Sequence, residues 1–122
     1  MTSFLADQFG DYPRVHGNRT NLMIHAVAVP LFDLAVVGTL ASVAARSWVG
    51  AVTGVAVAAI AFGAEGRGHG LERERPIPFS GPVNALTRIF AEQFITFPRF
   101  VLSGGWGRAY RAAGGLSDRG GP

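Results

Sequence analysis

The chain contains no cysteine and no lysine, and all eleven of its basic residues are arginine. The absence of cysteine excludes disulfides, zinc–thiolate sites, iron–sulfur clusters and cysteine nucleophiles. The absence of lysine excludes Schiff-base chemistry on the protein and the lysine of a phosphate-binding loop. Any metal ion bound by this protein must therefore be held by nitrogen and oxygen ligands.

Charged residues of either sign are scarce. They make up 16% of the 122 residues, against about 25% in a typical soluble domain. Hydrophobic residues make up 48%, and the mean hydropathy is +0.27. This composition is typical neither of an ordinary soluble protein nor of a disordered one, and the length allows a single domain. The net charge is only +3 and the arginines are scattered, so we expect no nucleic-acid partner.

Two long segments are almost free of charge. Between Thr20 and Ala45 the only formal charge is Asp33, and Trp48 to Ala64 is a run of seventeen residues without any. A membrane-spanning helix needs about 20 apolar residues, within a range of about 17–25. The segments at 21–45 and 48–64 therefore predict two transmembrane helices. The very short connection between them forces an antiparallel hairpin.

Small residues recur at helical spacing in both segments and could let the two helices approach closely. They are Gly50, Gly54 and Ala58 on the second helix, and Gly38, Ala41, Ser42 and Ala45 on the first. The alternative is that a composition rich in alanine produces such rows by chance.

The distribution of arginine predicts the orientation of the hairpin. Arg14 and Arg19 precede it, five arginines follow it between positions 67 and 99, and the turn carries only Arg46. Arginine is enriched on the cytoplasmic side of membrane helices. We therefore expect an integral membrane protein with both termini in the cytoplasm. The expected location is a bacterial inner membrane.

The C-terminal third changes in character. The stretch Pro76–Pro82 holds three of the seven prolines and predicts an extended connector. A helix from about Ser80 or Pro82 to about Pro98 follows, with apolar residues at helical spacing, and we expect it to lie in the membrane interface or to cover the hairpin. After Ser103 glycine is frequent. The sequence thus predicts an all-α membrane protein with one domain at 1–106 and a disordered Gly/Arg-rich tail at 107–122.

The three histidines fall where the hairpin would bring them together. His25 lies 21–22 residues before the turn and His69 lies 22–23 residues after it. If both helices extend that far, each histidine is about 33 Å from the turn, because a helix rises about 1.5 Å per residue. His16 can join them only if the chain before Asn18 is not helical. The sequence therefore predicts a cluster of imidazoles at the cytoplasmic end of the hairpin.

Nearby polar residues leave two interpretations open. Asn18, Asn21 and His25 share one helix face, and His69 and Glu72 are three residues apart. Imidazole and carboxylate ligands are typical of Fe(II) sites that activate oxygen. Alternatively, the histidines are structural, hydrogen-bonded residues, and Glu72 belongs to a solvated run of salt-bridged charges.

Two stretches resemble the signatures of the Mpo-like 2-hydroxy fatty acid dioxygenase family. The first runs from Tyr12 to Pro30 and contains H-x-N-x-x-N-x-x-x-H from His16 to His25; the second is GHGLERERP, which ends at Pro76. The resemblance covers residues 8–106, about the whole chain before the tail. The chain departs from the family pattern at Ala28, where glycine is common, and at Glu65, where glutamine often stands.

The resemblance implies a membrane-embedded, Fe(II)-dependent dioxygenase of α-oxidation, which shortens 2-hydroxy fatty acids by one carbon. Its partners would be a 2-hydroxy fatty acid, dioxygen and membrane lipid. The residues implied as iron ligands are His16, His25 and His69, with Glu72 either as a fourth ligand or as an outer residue that orients the ligands. The residues implied to support catalysis are Glu72, Asn18 and Asn21, and Arg73 would pair with the substrate carboxylate. The alternative function is a non-enzymatic membrane scaffold or lipid-binding subunit, and a homo-oligomer is left open.

Overall fold

The computed structural model describes residues 3–119, and these residues contain helices and no strand. The elements are α1 (Phe4–Asp11), a 3₁₀ turn (Tyr12–Val15), α2 (Arg19–Ala44), α3 (Trp48–His69), α4 (Pro82–Ala91), a π-helical turn (Glu92–Thr96), α5 (Phe97–Leu102) and α6 (Gly105–Arg119). The all-helical prediction is confirmed for the part of the chain that the structure describes.

Helices α2 and α3 form the predicted antiparallel hairpin. Each begins at a side-chain cap, since Asn18 accepts a hydrogen bond from the backbone N–H of Asn21 and Ser47 accepts one from that of Gly50. The turn between them is closed by Arg46 in the left-handed conformation, with φ 56°. Both helices are long and apolar enough to cross a membrane.

The hairpin leaves much of its apolar surface exposed. Leu34, Val49 and Ile60 are 70%, 82% and 71% exposed, respectively. Contiguous exposed apolar surface of this kind marks contact with a membrane or with another protein. The exposed apolar outer face of the hairpin therefore supports association with a membrane.

The small residues of α3 lie at the helix–helix contact, as predicted, but not all those of α2 do. A Cβ atom on Gly50 would collide with Ser42, and one on Gly54 would collide with Thr39. A Cβ atom on Gly38 would meet nothing within 4 Å. The prediction for Gly38 is therefore wrong, because this residue faces away from α3.

The helix begins at Pro82, as predicted. Its predicted end is near Pro98, but the helical path continues beyond Pro98 to Leu102. A π-helical turn directly precedes α5, and Phe97 and Phe100 of α5 enter the core with Leu22 and Val29. A proline ring collides with the carbonyl four residues earlier in a regular helix. The wider π-helical turn makes room for the Pro98 ring, so that the helical path bends there instead of ending.

The predicted tail at 107–122 is helical as far as residue 119, and positions 120–122 lie outside the described residues. Trp106 donates its indole N–H to the carbonyl of Leu22 at 2.9 Å, and Tyr110 packs against the same core. The guanidinium of Arg19 lies 4.3 Å from the centre of the Tyr110 ring. The expectation of disorder was based on glycine content, whereas aromatic side chains hold this helix on α2.

Candidate metal centre

The three histidines converge at the open end of the hairpin, as the count of residues predicts. His25 lies on α2, His69 is the last residue of α3, and His16 follows the 3₁₀ turn in a non-helical conformation. The ring centroids lie 4.7 Å apart for His16 and His25, 4.7 Å for His16 and His69, and 4.9 Å for His25 and His69. His16 can join the other two because Pro13 and the 3₁₀ turn delay the start of α2.

A carboxylate that the sequence analysis did not select completes the cluster. Glu92 Oε1 lies 3.7 Å from His16 Nε2 and 3.8 Å from His25 Nε2. One ligand atom from each of the four residues, His69 included, lies within 4.8 Å of all the others. Glu92 stands in the π-helical turn, and the only sequence signal for it is that it is the one acidic residue between Pro82 and Pro98.

The hydrogen bonds of two histidines leave their inner nitrogens facing one another. His16 Nδ1 lies 2.8 Å from the carbonyl of Tyr12, and His25 Nδ1 lies 3.0 Å from the carbonyl of Asn21. A carbonyl can only accept, so both protons are on Nδ1 and both Nε2 atoms carry lone pairs. These two Nε2 atoms are only 3.4 Å apart. Two facing lone pairs repel each other, and a cation bound between them would remove the repulsion.

The donor set fits a metal ion. At metal–nitrogen distances of about 2.1 Å, ligand atoms of a tetrahedral site are about 3.4 Å apart, close to the separation of the two Nε2 atoms. Within the described residues, the buried Nδ1 of His69 has no hydrogen-bond partner, so the protein leaves one polar atom of this imidazole unsatisfied, as is found at sites that bind an ion. Three imidazoles and one carboxylate are nitrogen and oxygen donors, as the lack of cysteine requires.

Burial makes the electrostatics of the cluster favourable for a cation. It lowers the pKa of His16 well below the usual value, an effect increased by the neighbouring His25 and His69. Burial also raises the pKa of Glu92 to about 7. The imidazole of His16 is therefore neutral and able to bind a metal. In the part of the chain that the structure describes, Glu92 forms no ion pair with an arginine, and a metal ion would supply a positive partner for its carboxylate.

Tyr12 holds two members of the cluster from outside. Its hydroxyl donates to Glu92 Oε1 at 3.1 Å, and its ring stacks on His16 with centroids 3.7 Å apart. Burial raises the pKa of this hydroxyl well above its usual value, so that it stays protonated and able to donate. Such outer contacts orient the ligands of metal sites.

Glu72, which the resemblance implied as a possible ligand, lies beside the four donors and not among them. Its carboxylate accepts hydrogen bonds from the backbone N–H groups of Gly17 (2.9 Å) and Asn18 (3.2 Å) and from Asn21 Nδ2 (2.5 Å). These contacts tie the segment after α3 to the loop that carries His16. Among the described residues, the carboxylate that groups with the three histidines is that of Glu92.

The two asparagines belong to the same network. Asn18 caps α2, and its side chain also lies 3.5 Å from the carbonyl of Leu71. Asn21 is fully buried and joins Glu72 to α2. Asn18, Asn21 and Glu72 therefore make contacts that position the loop and the helix ends around the histidine–glutamate cluster.

A cavity of about 1000 Å³ opens beside the cluster, and His16, His69 and Glu92 form part of its wall. Arg73 and Arg75 line the same cavity with exposed side chains. Among the described residues, neither forms an ion pair, whereas Arg14 binds Asp11 and Glu74. The predicted carboxylate-binding residue, Arg73, thus lines the cavity beside the histidine–glutamate cluster, and Arg75 lines the same cavity.

Glu65, one of the two departures from the family pattern, is buried on the wall of this cavity. It accepts a hydrogen bond of 2.5 Å from Gln93 Nε2, which ties α3 to the π-helical turn. Because Gln93 directly follows Glu92, this bond also helps to set the direction of the turn that carries the carboxylate of the cluster.

Comparison with known proteins gives the family. Searches of curated proteins and of solved structures find no match. A family model described as 2-hydroxy-palmitic acid dioxygenase Mpo1-like matches residues 2–97, which include all four members of the histidine–glutamate cluster. Since this match extends over more than half of the chain, the protein belongs to the Mpo1-like family.

Proposed function

We propose that this protein is a membrane-embedded dioxygenase that binds Fe(II) through His16, His25, His69 and Glu92. The observation that carries the proposal is the pair of Nε2 atoms 3.4 Å apart, with a carboxylate oxygen within 3.8 Å of both. The dioxygenase description of the family supports the same chemistry.

The choice of iron follows from the ligand types. Histidine together with carboxylate is the ligand combination of non-haem Fe(II) oxygenases, although three histidines also occur in zinc enzymes. An Fe(II) ion held by these residues would supply open coordination positions for dioxygen and substrate. The metal preference is therefore the first property to measure.

The proposed reaction is the oxidative shortening of a 2-hydroxy fatty acid. Written so that atoms balance, one RCH(OH)COOH and one dioxygen give RCOOH, carbon dioxide and water. In this reaction Arg73 would pair with the substrate carboxylate at the cavity rim, where Arg75 offers a second guanidinium. Holding the 2-hydroxy-carboxylate head close to the cluster lowers the barrier through proximity and orientation.

The other residues of the site would hold its geometry. Tyr12 keeps Glu92 and His16 in place through its hydroxyl and its ring. Glu72, with Asn18 and Asn21, fixes the loop that bears His16. Deep burial of His16 and His25 excludes water from the donor atoms.

The proposed location is a bacterial inner membrane, with the metal centre and both termini on the cytoplasmic side. The exposed apolar face of the hairpin and the arginines beyond its open end support it. Because the natural chain has no cysteine, single cysteines at Asp7, Ala45 and Arg111 would report accessibility cleanly. Positions 7 and 111 should react from the cytoplasm and position 45 from the opposite side.

Metal analysis of the untagged protein is the first test of the site. We expect about one iron per chain after anaerobic loading, and loss of most of it in His25→Ala and His69→Ala. Asn84→Ala is the control, because Asn84 lines the same cavity but is not a donor. Equal iron in all variants would exclude this site, and a strict preference for zinc would exclude the oxygenase assignment.

Turnover is the second test. Iron-loaded protein is incubated with 2-hydroxypalmitic acid and air, and the shortened acid and the consumed oxygen are measured together. We expect wild type to form one shortened acid for each dioxygen that it consumes, and His69→Ala to form no shortened acid and consume no oxygen. If wild type forms no more product than this variant at any chain length, the enzyme proposal fails and the scaffold or lipid-binding function takes its place.

A further inference from the structure

A second cavity adjoins the one beside the metal centre. It is a groove of about 370 Å³ between the hairpin and α4, and Phe62 and Ile89 line both spaces. On the hairpin side the groove extends along α2 from Phe32 to Leu40 and along α3 from Phe62 to Val55. The two cavities therefore follow one another along the hairpin axis, from the histidine cluster towards the turn.

The groove offers its occupant no polar group. The only lining residue with a polar side chain is Thr39, and its hydroxyl donates to the carbonyl of Ala35 at 2.7 Å. The remaining lining residues are apolar, and the ring of Phe32 lies 6.4 Å from that of Phe62 and 5.9 Å from that of Phe90. Such a surface binds a hydrocarbon, because a peptide or a headgroup would leave polar groups unsatisfied there.

From these observations, we infer that the groove holds the alkyl tail of the substrate while its head lies at the metal centre. The inference rests on the proposed function for the identity of the head. Two features favour the tail of a free acid over another occupant. The groove adjoins the cavity of the cluster at Phe62 and Ile89, and the guanidinium groups of Arg73 and Arg75 line that cavity but not the groove.

The length of the path predicts the length of the tail. From His69 to Val55 the helix α3 advances about 21 Å, at about 1.5 Å per residue. Carbon–carbon bonds of about 1.5 Å in a zigzag advance a chain by about 1.25 Å per atom, so the path holds about 17 carbon atoms. Leu40 and Val55 at the end of the groove would then set the preferred chain length.

Photo-crosslinking tests the groove without turnover. The probe is 2-hydroxypalmitic acid with a diazirine at its terminal carbon, added to the iron-loaded full chain and mapped by mass spectrometry. We expect adducts at Leu40 and Val55. A probe with the diazirine near the middle of the chain should instead label Phe62 and Ile89. Adducts spread evenly over other exposed apolar residues, such as Leu34 and Val49, would overturn the inference.

Two matched variants sharpen the test. Ala59 is exposed and lines the groove, so Ala59→Phe fills it; Thr53 is exposed on the same helix and does not line it. Because its ring would fill the groove, Ala59→Phe should reduce the adducts of the terminal diazirine about tenfold. Thr53→Phe should leave them within about twofold of wild type. Unchanged labelling in Ala59→Phe would refute the inference. So would adducts formed by a diazirine-tailed phosphatidylcholine that excess 2-hydroxypalmitic acid does not displace.

The two proposals can fail separately. If Ala59→Phe abolishes labelling of the groove but the wild type does not turn over the acid, the tail site is supported and the dioxygenase reaction is refuted. If wild type and Ala59→Phe both turn over the acid with the same preference for long chains, the reaction is supported and the tail site is refuted. If both hold, Ala59→Phe should lower turnover of the 16-carbon acid about tenfold and spare an 8-carbon acid.

Discussion

The two glutamates beside the histidines provide the sharpest test of the donor set, because their geometries predict opposite defects. Glu92 Oε1 lies within 3.8 Å of two imidazole nitrogens, whereas Glu72 accepts three hydrogen bonds from the His16 loop and α2. Replacement of each by glutamine keeps the size and removes the charge. We expect Glu92→Gln to impair metal binding chiefly and Glu72→Gln to impair stability as well.

The magnitudes follow from these contacts. In the metal-bound protein, Glu92→Gln removes one partner of a largely buried charge pair, which costs about 3–5 kcal/mol, so iron should bind this variant between about a hundredfold and several thousandfold more weakly. Its amide oxygen still accepts from Tyr12, so the metal-free protein should lose less than about 1 kcal/mol. In Glu72→Gln the new NH₂ group faces an N–H donor. Losing one charge-assisted hydrogen bond costs about 1.5–3 kcal/mol, and losing an outer contact weakens metal binding about 10- to 100-fold.

The assay combines thermal unfolding of the metal-free proteins in detergent with a competitive Fe(II) titration under argon. Glu74→Gln is the control, because Glu74 is exposed and contacts Arg14 instead of the cluster. Its iron affinity should equal that of wild type. If Glu72→Gln unfolds like wild type but binds iron more weakly than Glu92→Gln, then Glu72 is the ligand and the assignment of Glu92 is refuted.

Two further substitutions test the surroundings of the cluster. Tyr12→Phe keeps the stacked ring but removes the hydrogen bond to Glu92. Iron affinity in the same titration should fall about tenfold, and an unchanged affinity would contradict the positioning role. Gly68→Ala places a Cβ atom against Asn21 and should lower the free energy of unfolding by about 1–3 kcal/mol. A Cβ atom on Gly63 would meet nothing within 4 Å, so Gly63→Ala should raise the free energy of unfolding by up to about 1 kcal/mol. Equal effects of the two variants on the Tm would refute the close contact between Gly68 and Asn21.

The hairpin and the convergence of the histidines could be predicted from the sequence. The helices depend on local features, namely uncharged runs of sufficient length and the caps at Asn18 and Ser47. Once the turn is placed, the regular rise of a helix determines which residues face each other across the hairpin. His25 and His69 therefore could be placed at one depth by counting, and the condition for His16 to join them, a non-helical chain before Asn18, could be stated as well.

The fourth donor, the C-terminal helix and the groove were decided by the tertiary structure. The direction of Glu92 depends on a π-helical turn before Pro98, on the bond from Gln93 to Glu65 and on the packing of α5. No local pattern encodes this, whereas Glu72 looked suitable because it is three residues from His69. In the same way, α6 persists despite its glycines because Trp106 finds the carbonyl of Leu22 on a distant helix. Local sequence determines where helices begin, end and turn, but which side chains meet between elements depends on packing that no single segment contains.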